Sequence, residues 1–333
     1  GTFKMSAPVI RPAVYVFSTS SGLTASILKY APSICVKEIT PGPVTPNILK
    51  ELQKADILVT EPGLIHSAIQ DLPNLKWMHS VWAGNDKMFQ NLDSKKPIPS
   101  YKFTRFAGCF GSHMAEYVIG HILARERMII DTWQDKQEKF WNKSVRQTYR
   151  ILPELTLGIL GVGDIGQEVA KVCKRFGMKI WGLVKQDIPN RSKDIDEYRQ
   201  IPELPELLEN CDYIVNILPS TPSTKGLLSS ETLKHCSKKK SVLINVGRGD
   251  IVDEAGIINA LDNGWLSGAV LDVFDEEPLP KTSALWDHPA VHITPHVSAV
   301  TFGWQAAELF CENYEKFMKG EELPYPVSWE KGY

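Results

Sequence analysis

Three ionisable side chains, each placed just after an apolar segment, could carry out acid–base chemistry together: Arg248, Glu277 and His296. If those segments are neighbouring parallel strands, the three side chains lie at one edge of the same sheet. A histidine exchanges a proton near neutral pH, and a carboxylate beside it raises the pKa of its ring. An arginine holds a carboxylate through two parallel N–H bonds. The set predicts hydride reduction of a 2-keto acid, in which an alkoxide is protonated beside a bound carboxylate.

Two of these side chains also have a purely structural interpretation. His296 follows a threonine–proline pair and could be a turn histidine. Glu277 could be the solvated end of an acidic run, and Glu276 competes with it for the same role. Asp272 lies in an apolar segment, where a buried carboxylate is costly unless it is paired. It is therefore either a hydrogen-bond anchor or a contact to the carboxamide of a nicotinamide ring.

A glycine-rich turn between two apolar segments predicts a dinucleotide site. Residues 155–160 form a predicted buried strand, a helical pattern follows, and residues 178–184 form the next strand. The turn has the Gly-x-Gly-x-x-Gly pattern, Gly161-Val162-Gly163-Asp164-Ile165-Gly166. The first two glycines permit a tight turn and the approach of a pyrophosphate, and the third permits close packing of helix on strand. The free N–H groups of the helix N-terminus then face the anion.

The residues after the second predicted strand indicate which dinucleotide is bound. An acidic residue about 20 positions after such a turn usually binds the ribose 2′-hydroxyl of NAD. Here Val184 is followed by Lys185, so no carboxylate at this point repels a 2′-phosphate. Lys185, and with it Arg191, could attract that phosphate, although Lys185 could also be only a solvated strand-end charge. The prediction is NADP(H) in preference to NAD(H), with NAD(H) still open.

The composition is that of an ordinary globular protein and disfavours several functional classes. The 333 residues are enough for two domains, and 43% are hydrophobic with a net charge of −2. This charge balance predicts no nucleic-acid partner. The lack of a long apolar run or a signal-peptide pattern predicts a cytoplasmic protein without a membrane partner. No zinc or serine-nucleophile motif is present, so no metal site is predicted.

The alternation of short strand and helix patterns predicts two α/β units with parallel sheets. The first contains the predicted strands 14–17, 34–38, 56–59, 75–81 and 101–104. Ser112 is a predicted N-cap for a long helix over about 113–130, and a polar arm with Trp133 and Trp141 follows. The two tryptophans indicate a contact between subunits, although local packing would also explain them. A final amphipathic helix over 303–320 is predicted to return to the first unit.

Taken together, these motifs resemble those of the D-isomer-specific 2-hydroxyacid dehydrogenases over nearly the whole chain. The segments that carry the resemblance are, in order, Met114-Ala115-Glu116-Tyr117, Gly161 to Gly166, Leu218-Pro219-Ser220-Thr221-Pro222, Asn245-Val246-Gly247-Arg248-Gly249, Leu271-Asp272-Val273-Phe274, Glu276-Glu277-Pro278-Leu279 and Thr294-Pro295-His296-Val297. Within the family the chain is most similar to the glyoxylate/hydroxypyruvate reductases.

The resemblance implies an α/β architecture of two Rossmann- and flavodoxin-like domains. The dinucleotide-binding domain (109–296) is inserted into a substrate-binding domain (6–108 and 297–333). The implied reaction is reduction of a small 2-keto acid to the D-2-hydroxy acid, with His296 as general acid or base, Glu277 as its partner and Arg248 on the substrate. Substrates of the family also bind backbone amides, here those of Ala83 and Gly84. A homodimer formed through the dinucleotide-binding domain is implied as well.

The predicted cofactor contacts lie in the glycine turn, after the next strand, and in segments expected at the same sheet edge: Gly161, Gly163, Asp164, Ile165, Gly166, Lys185, Leu218, Pro219, Thr224, Val246, Gly247, Arg248, Asp272, Ser298 and Met114. The chain departs from many members at Trp304 and in the Thr60-Glu61 loop, which could reshape the substrate pocket. A nucleotide-sensing corepressor keeps the same three ionisable residues and is therefore an alternative function. A formate or phosphite dehydrogenase is a further alternative, but the extra arginine it would need is not evident.

Overall fold

The computed structural model describes residues 11–90, 92–187 and 191–330. Its strands are β1 (Val14–Phe17), β2 (Val36–Glu38), β3 (Ile57–Thr60), β4 (Trp77–Ser80), β5 (Lys102–Thr104), β6 (Thr156–Leu160), β7 (Lys179–Val184), β8 (Glu197–Gln200), β9 (Tyr213–Asn216), β10 (Ser241–Asn245), β11 (Leu266–Leu271) and β12 (Val291–Ile293). Its helices are α1 (Leu23–Tyr30), α2 (Pro46–Leu52), α3 (Pro62–Ile65), α4 (Asp86–Gln90), α5 (Phe110–Glu126), α6 (Ile129–Gln137), α7 (Lys143–Arg146), α8 (Asp164–Arg175), α9 (Leu204–Asn210), α10 (Ser230–Leu233), α11 (Glu254–Asp262) and α12 (Gly303–Met318). No helix in these described ranges is long and apolar enough to cross a bilayer.

The chain forms two compact units, and the smaller one contains the residues up to Cys109 and from Thr301 onward. Its parallel sheet has the strand order β2-β1-β3-β4-β5. Every residue of β3 is buried, as expected for a parallel strand that is covered on both faces. Helix α12 packs against α1, and a Cβ atom on Gly303 would lie only 2.3 Å from the carbonyl oxygen of Ser21. The C-terminal helix is therefore part of the same unit as the N-terminal strands.

The larger unit, Phe110–Val300, contains a parallel sheet of order β12-β11-β10-β9-β6-β7-β8. Strands β6 and β9 are adjacent at the point where the strand order reverses. Strands β7 and β8 follow on the β6 side, and β10, β11 and β12 follow on the β9 side. This is the Rossmann-type arrangement, and a ligand site is expected beyond the carboxyl ends of the strands at this switch point. The predicted fold class, two α/β units with parallel sheets and one unit inserted into the other, is confirmed.

Helix α8 is positioned by its apolar face at the end of β6. Its buried residues are Gly166, Val169, Ala170 and Cys173, and the last three belong to the core shared with α5 and β6. Gly177, with a φ of 87°, follows the C-terminal end of the helix, where the left-handed conformation favours glycine. The N-terminus of α8 lies within the glycine turn, directly after Gly163, which is where a dinucleotide phosphate is expected.

The long helix predicted over 113–130 is wrong at both ends. Helix α5 begins at Phe110, so Ser112 lies within its first turn and is not an N-cap. Phe110 is buried and extends the apolar face of the helix one turn upstream of the predicted start. At the other end α5 stops at Glu126, and Met128 adopts a left-handed φ of 49° before α6 begins. No glycine or proline marks this break, so the sequence pattern did not indicate it.

Candidate active site

Arg248 is held in place by a tightly bonded loop at the carboxyl end of β10. The side chain of Asn245 accepts a hydrogen bond from Gly247 N at 3.2 Å and donates one to Arg248 O at 3.1 Å. The guanidinium Nη1 of Arg248 donates to Gly247 O at 2.8 Å. A Cβ atom on Gly249 would lie 1.9 Å from the carbonyl carbon of Phe274, so no side chain fits between this loop and the loop after β11. The loops after two neighbouring strands are therefore in direct contact.

Glu277 and His296, in the loops after β11 and β12, form a close ion pair. Nδ1 of His296 lies 2.7 Å from Oε2 of Glu277, and Phe274 N donates to Oε1 of the same carboxylate at 2.9 Å. Glu276, the competing carboxylate, is exposed. Because Glu277 engages the Nδ1 side of the ring, Nε2 is the atom through which His296 can exchange a proton with a ligand.

The pKa values of the pair move in opposite directions. The hydrogen bond to Glu277 raises the pKa of His296 above its ordinary value, and this effect outweighs burial and the positive charge of Arg248. Burial alone would raise the pKa of Glu277, but hydrogen bonds from His296 and from Phe274 N bring it below its ordinary value. The positive charge of Arg248 also acts on the pair and lowers both pKa values, as a smaller effect. The pairing therefore favours a protonated ring on His296 and an ionised carboxylate on Glu277.

Asp272 makes the contacts of a hydrogen-bond anchor, the first of the two interpretations above, and its contact to the cofactor stays a prediction. It lies just past the end of β11, not inside the strand, and it is fully buried. Its carboxylate accepts bonds from Thr294 Oγ1, from Val297 N at 2.8 Å and from Ser298 N at 2.9 Å. Its carbonyl oxygen accepts a bond from His296 N at 2.9 Å. These bonds hold His296 at a φ of 54°, a conformation that costs a non-glycine residue about 1–3 kcal/mol.

The glycine turn after β6 fits a dinucleotide pyrophosphate. Gly161 has a φ of 103°, which L-residues with side chains rarely adopt. A Cβ atom on Gly166 would lie 2.2 Å from Gly161 O, so the close packing of turn and helix requires glycine at this position. A Cβ atom on Gly163 would meet nothing within 4 Å, so it would project into open space beside the N-terminus of α8. That space and the N–H groups of α8 suit an anion.

The other predicted cofactor contacts lie at the ends of four strands, at the start of α8 and on α5. Their positions are after β7 (Lys185), after β9 (Leu218, Pro219 and Thr224), after β10 (Val246 and Gly247), after β12 (Ser298), on α8 (Asp164 and Ile165) and on α5 (Met114). The hydroxyl of Thr224 donates to Pro219 O at 2.6 Å and so shapes its own loop. Oγ of Ser298 is buried and has no partner within the described residues, as expected for an atom that binds a polar ligand group.

Residues that hold these loops together were absent from the predicted site. Asn216 donates to Asn245 Oδ1 at 2.9 Å and accepts from Leu218 N at 3.2 Å, which ties the loops after β9 and β10. The Tyr117 hydroxyl lies 2.7 Å from Oγ1 of Thr294. The sequence did contain a signal for Asn216, because an asparagine at the end of an apolar strand is buried and its amide must then have a hydrogen-bond partner. The contact of Tyr117 with Thr294 had no comparable signal.

In the smaller unit, Ala83 and Gly84 follow β4. The Thr60-Glu61 loop, which departs from the family pattern, begins at the end of β3. Glu61 is buried, and its carboxylate accepts bonds from the Ser18 hydroxyl and from Thr19 N at 2.8 Å. This carboxylate therefore fixes the loop after β1. Trp304 is half-exposed in the first turn of α12.

The arrangement in the larger unit matches a known family of oxidoreductases. The protein-family model for the NAD-binding domain of D-isomer specific 2-hydroxyacid dehydrogenases matches residues 119–298, which is more than half of the chain. That range contains the glycine turn and the three ionisable side chains. The chain belongs to the D-isomer specific 2-hydroxyacid dehydrogenase family and is an NAD(P)-dependent enzyme of this type.

Solved structures of the same family resemble the chain over almost its whole length. One is a family protein from Aeromonas salmonicida, with 32% sequence identity and a TM-score of 0.85 over 96% of this chain and 99% of that one. A dehydrogenase from Xanthobacter autotrophicus in complex with NADPH has 27% identity and a TM-score of 0.82, covering 97% and 100%. An NADPH-dependent glyoxylate/hydroxypyruvate reductase from Sinorhizobium meliloti in complex with NADP has 25% identity and a TM-score of 0.82, covering 97% and 100%.

Proposed function

We propose that the protein reduces a small 2-keto acid of the glyoxylate or hydroxypyruvate type to the D-2-hydroxy acid, with NADPH as the preferred cofactor. The observation that carries the proposal is the 2.7 Å pair of His296 and Glu277, on which the charge of Arg248 also acts. These are the groups that protonation of an alkoxide next to a carboxylate requires. The similarity to the Sinorhizobium meliloti reductase supports the choice of substrate class.

Each of the three side chains has one task in the proposed mechanism. NADPH, when bound, supplies a hydride to the carbonyl carbon. Arg248 binds the substrate carboxylate and places positive charge beside the carbonyl oxygen. Protonated His296 donates its Nε2 proton to that oxygen, while Glu277 orients the ring through Nδ1 and keeps it protonated. In the oxidation of a 2-hydroxy acid, neutral His296 takes the proton back.

Further binding contacts belong to this proposal. The larger unit holds the cofactor through its glycine turn and through the further contacts predicted above. The domain borders predicted at 108/109 and 296/297 are also part of the proposal. In the smaller unit, the backbone amides of Ala83 and Gly84 bind the substrate carboxylate or carbonyl. The assignment of these amides rests on the family resemblance.

The experiment that tests the function is a substrate panel with both cofactors. Purified protein should oxidise NADPH when glyoxylate, hydroxypyruvate or pyruvate is added, and the hydroxy acid formed from the last two should be the D-isomer. Binding of NADPH is measured in parallel by fluorescence titration. Tight nucleotide binding without turnover of any short 2-keto acid would overturn the proposal and favour the corepressor-like function.

The cofactor preference depends on Lys185 at the exposed end of β7. Arg191 is less available, because its guanidinium is paired with Asp187 at 2.6 Å. Lys185→Asp should lower the ratio of kcat/KM for NADPH to that for NADH by about 10–100-fold, since a charged hydrogen bond contributes about 1.5–3 kcal/mol. Lys179→Asp, at the other end of the same strand, is the matched control and should leave the ratio unchanged. An unchanged ratio in Lys185→Asp would contradict this cofactor assignment.

The proton-donor role predicts a pH effect of Glu277. Reduction needs protonated His296, so its rate falls as the pH rises through the His296 pKa, which Glu277 raises. Glu277→Gln removes that effect, and the alkaline limb of kcat/KM for reduction should move to lower pH. Glu276→Gln changes the neighbouring exposed carboxylate and should leave the profile in place. The assignment fails if both variants keep the wild-type alkaline limb.

The homodimer is proposed from the apolar surface of the arm formed by α6, α7 and the residues between them. Trp141 is 90% exposed and Trp133 is 63% exposed, and such side chains on a folded arm indicate a subunit contact. Trp141→Asp should shift the molar mass measured by light scattering from dimer toward monomer. Trp286→Ala, at an exposed tryptophan outside the arm, should not. A monomeric wild-type protein at micromolar concentration would disprove the dimer.

A further inference from the structure

A chain of hydrogen bonds joins α5 to the turn after β12. The Tyr117 hydroxyl lies 2.7 Å from Oγ1 of Thr294, which in turn donates to Oδ1 of Asp272. The carboxylate of Asp272 also accepts the backbone N–H groups of Val297 and Ser298, at 2.8 and 2.9 Å. Tyr117 and Thr294 are 177 residues apart in the chain. The fold of the larger unit therefore connects a helix side chain to the backbone just beyond the proposed proton donor.

The direction of these bonds follows from the single proton that each hydroxyl carries. Thr294 donates its hydroxyl proton to Oδ1 of Asp272. Tyr117 must then donate its own proton to Oγ1 of Thr294. Burial raises the pKa of Tyr117 to about 12, so the phenol keeps this proton throughout the neutral pH range. Each bond in such a chain polarises the next, so the phenol strengthens the bond between Thr294 and Asp272.

Asp272 and Thr294 also hold the backbone of His296. The N–H of His296 donates to Asp272 O at 2.9 Å and to Thr294 O at 3.1 Å. Because His296 has a positive φ of 54°, its conformation depends on these surrounding bonds. Loosening the bond between Thr294 and Asp272 would therefore widen the range of orientations available to the imidazole, without any change to the ring or to Glu277.

We propose that Tyr117 is a positioning residue for His296, acting through Thr294 and Asp272 on the turn that presents the imidazole. This inference rests on the acid–base role proposed above for His296. The ring of Tyr117 packs against that of His121, with centroids 4.4 Å apart. Tyr117→Phe keeps this packing and removes only the hydroxyl, so the variant isolates the hydrogen bond.

The test is a double-mutant cycle with steady-state kinetics. Tyr117→Phe should lower kcat about five- to tenfold, as expected for one lost hydrogen bond, while KM for the keto acid and Kd for NADPH change less than about twofold. Thr294→Val should lower kcat further, and Thr294→Ser, which keeps the hydroxyl, should restore most of it. If Tyr117 acts through Thr294, adding Tyr117→Phe to Thr294→Val has no further effect. Fully additive losses in kcat would overturn the inference.

A second measurement decides the inference independently of turnover. Amide hydrogen exchange of residues 296–298 should be faster in Tyr117→Phe than in the wild type. Tyr213→Phe is the matched control, because it removes a tyrosine hydroxyl elsewhere in the larger unit, one that donates to the carboxylate of Glu126 at 2.7 Å. It should lower the melting temperature without faster exchange at 296–298. Unchanged exchange in Tyr117→Phe would overturn the inference, whereas a wild-type protein without turnover would defeat only the proposed function.

Discussion

Replacing His296 by asparagine is expected to lower kcat for 2-keto acid reduction by about 10²–10⁴-fold, the usual contribution of a positioned proton donor. The backbone of His296 has a positive φ of 54°, a conformation that asparagine tolerates better than most residues, so the turn should stay folded. Asparagine cannot supply a proton to the alkoxide, whereas it leaves the glycine turn after β6 intact. Steady-state kinetics with NADPH and glyoxylate give kcat, and fluorescence titration gives the NADPH Kd.

The result is informative only if the loss is confined to the chemical step. The NADPH Kd of His296→Asn should stay within about threefold of the wild-type value. His292→Asn removes an exposed histidine of β12, four residues earlier, and serves as the control with near wild-type kcat. Parallel losses of NADPH binding and of kcat in His296→Asn would instead assign a structural role to this histidine.

Replacing Arg248 by lysine should produce the second large effect, on kcat/KM for the keto acid. A guanidinium can give two parallel N–H bonds to a carboxylate, whereas an ammonium group acts as a single point charge. Each charge-assisted hydrogen bond contributes about 1.5–3 kcal/mol, so the loss of one of the two bonds should lower kcat/KM by about 10–10²-fold. The measurement compares kcat/KM of Arg248→Lys with that of the wild type for glyoxylate and for pyruvate, at saturating NADPH.

A substrate without a carboxylate tests whether Arg248 binds that group. Pyruvamide has the ketone of pyruvate but a neutral amide in place of the carboxylate. The preference of the wild type for pyruvate over pyruvamide should largely disappear in Arg248→Lys. An unchanged preference would mean that Arg248 does not bind the carboxylate, and the proposed mechanism would lose its substrate anchor. Arg175→Lys, at the exposed end of α8, controls for a general effect of the substitution.

The parts of the site that depend on local pattern were predictable from the sequence. The strand, glycine turn and helix around Gly161 are contiguous in the chain, so the residue types alone indicate their conformation. The proximity of Glu277 and His296 could also be inferred, because parallel strands bring their carboxyl ends to one edge. The observed pair, 2.7 Å apart, lies at that predicted edge.

The parts that depend on tertiary contacts were not predictable in this way. The break after α5 at Met128 involves no helix-breaking residue, and β8 is a partly exposed edge strand with the polar sequence Glu-Tyr-Arg-Gln. The bond between Tyr117 and Thr294 joins a helix to a distant loop, and neither residue type indicates a partner. Periodicity describes which face of an element is buried, but it does not identify the individual atoms that meet across the core.

The close approach of Gly249 to Phe274 has a consequence for efforts to change substrate specificity. Because even a methyl group at position 249 would collide with the neighbouring backbone, the segments that carry Arg248 and Glu277 must shift together as one body. Randomising position 249 would therefore alter the positions of Arg248 and Glu277, the proposed carboxylate-binding group and the proposed partner of the proton donor, at the same time. Libraries aimed at new substrates should keep this glycine.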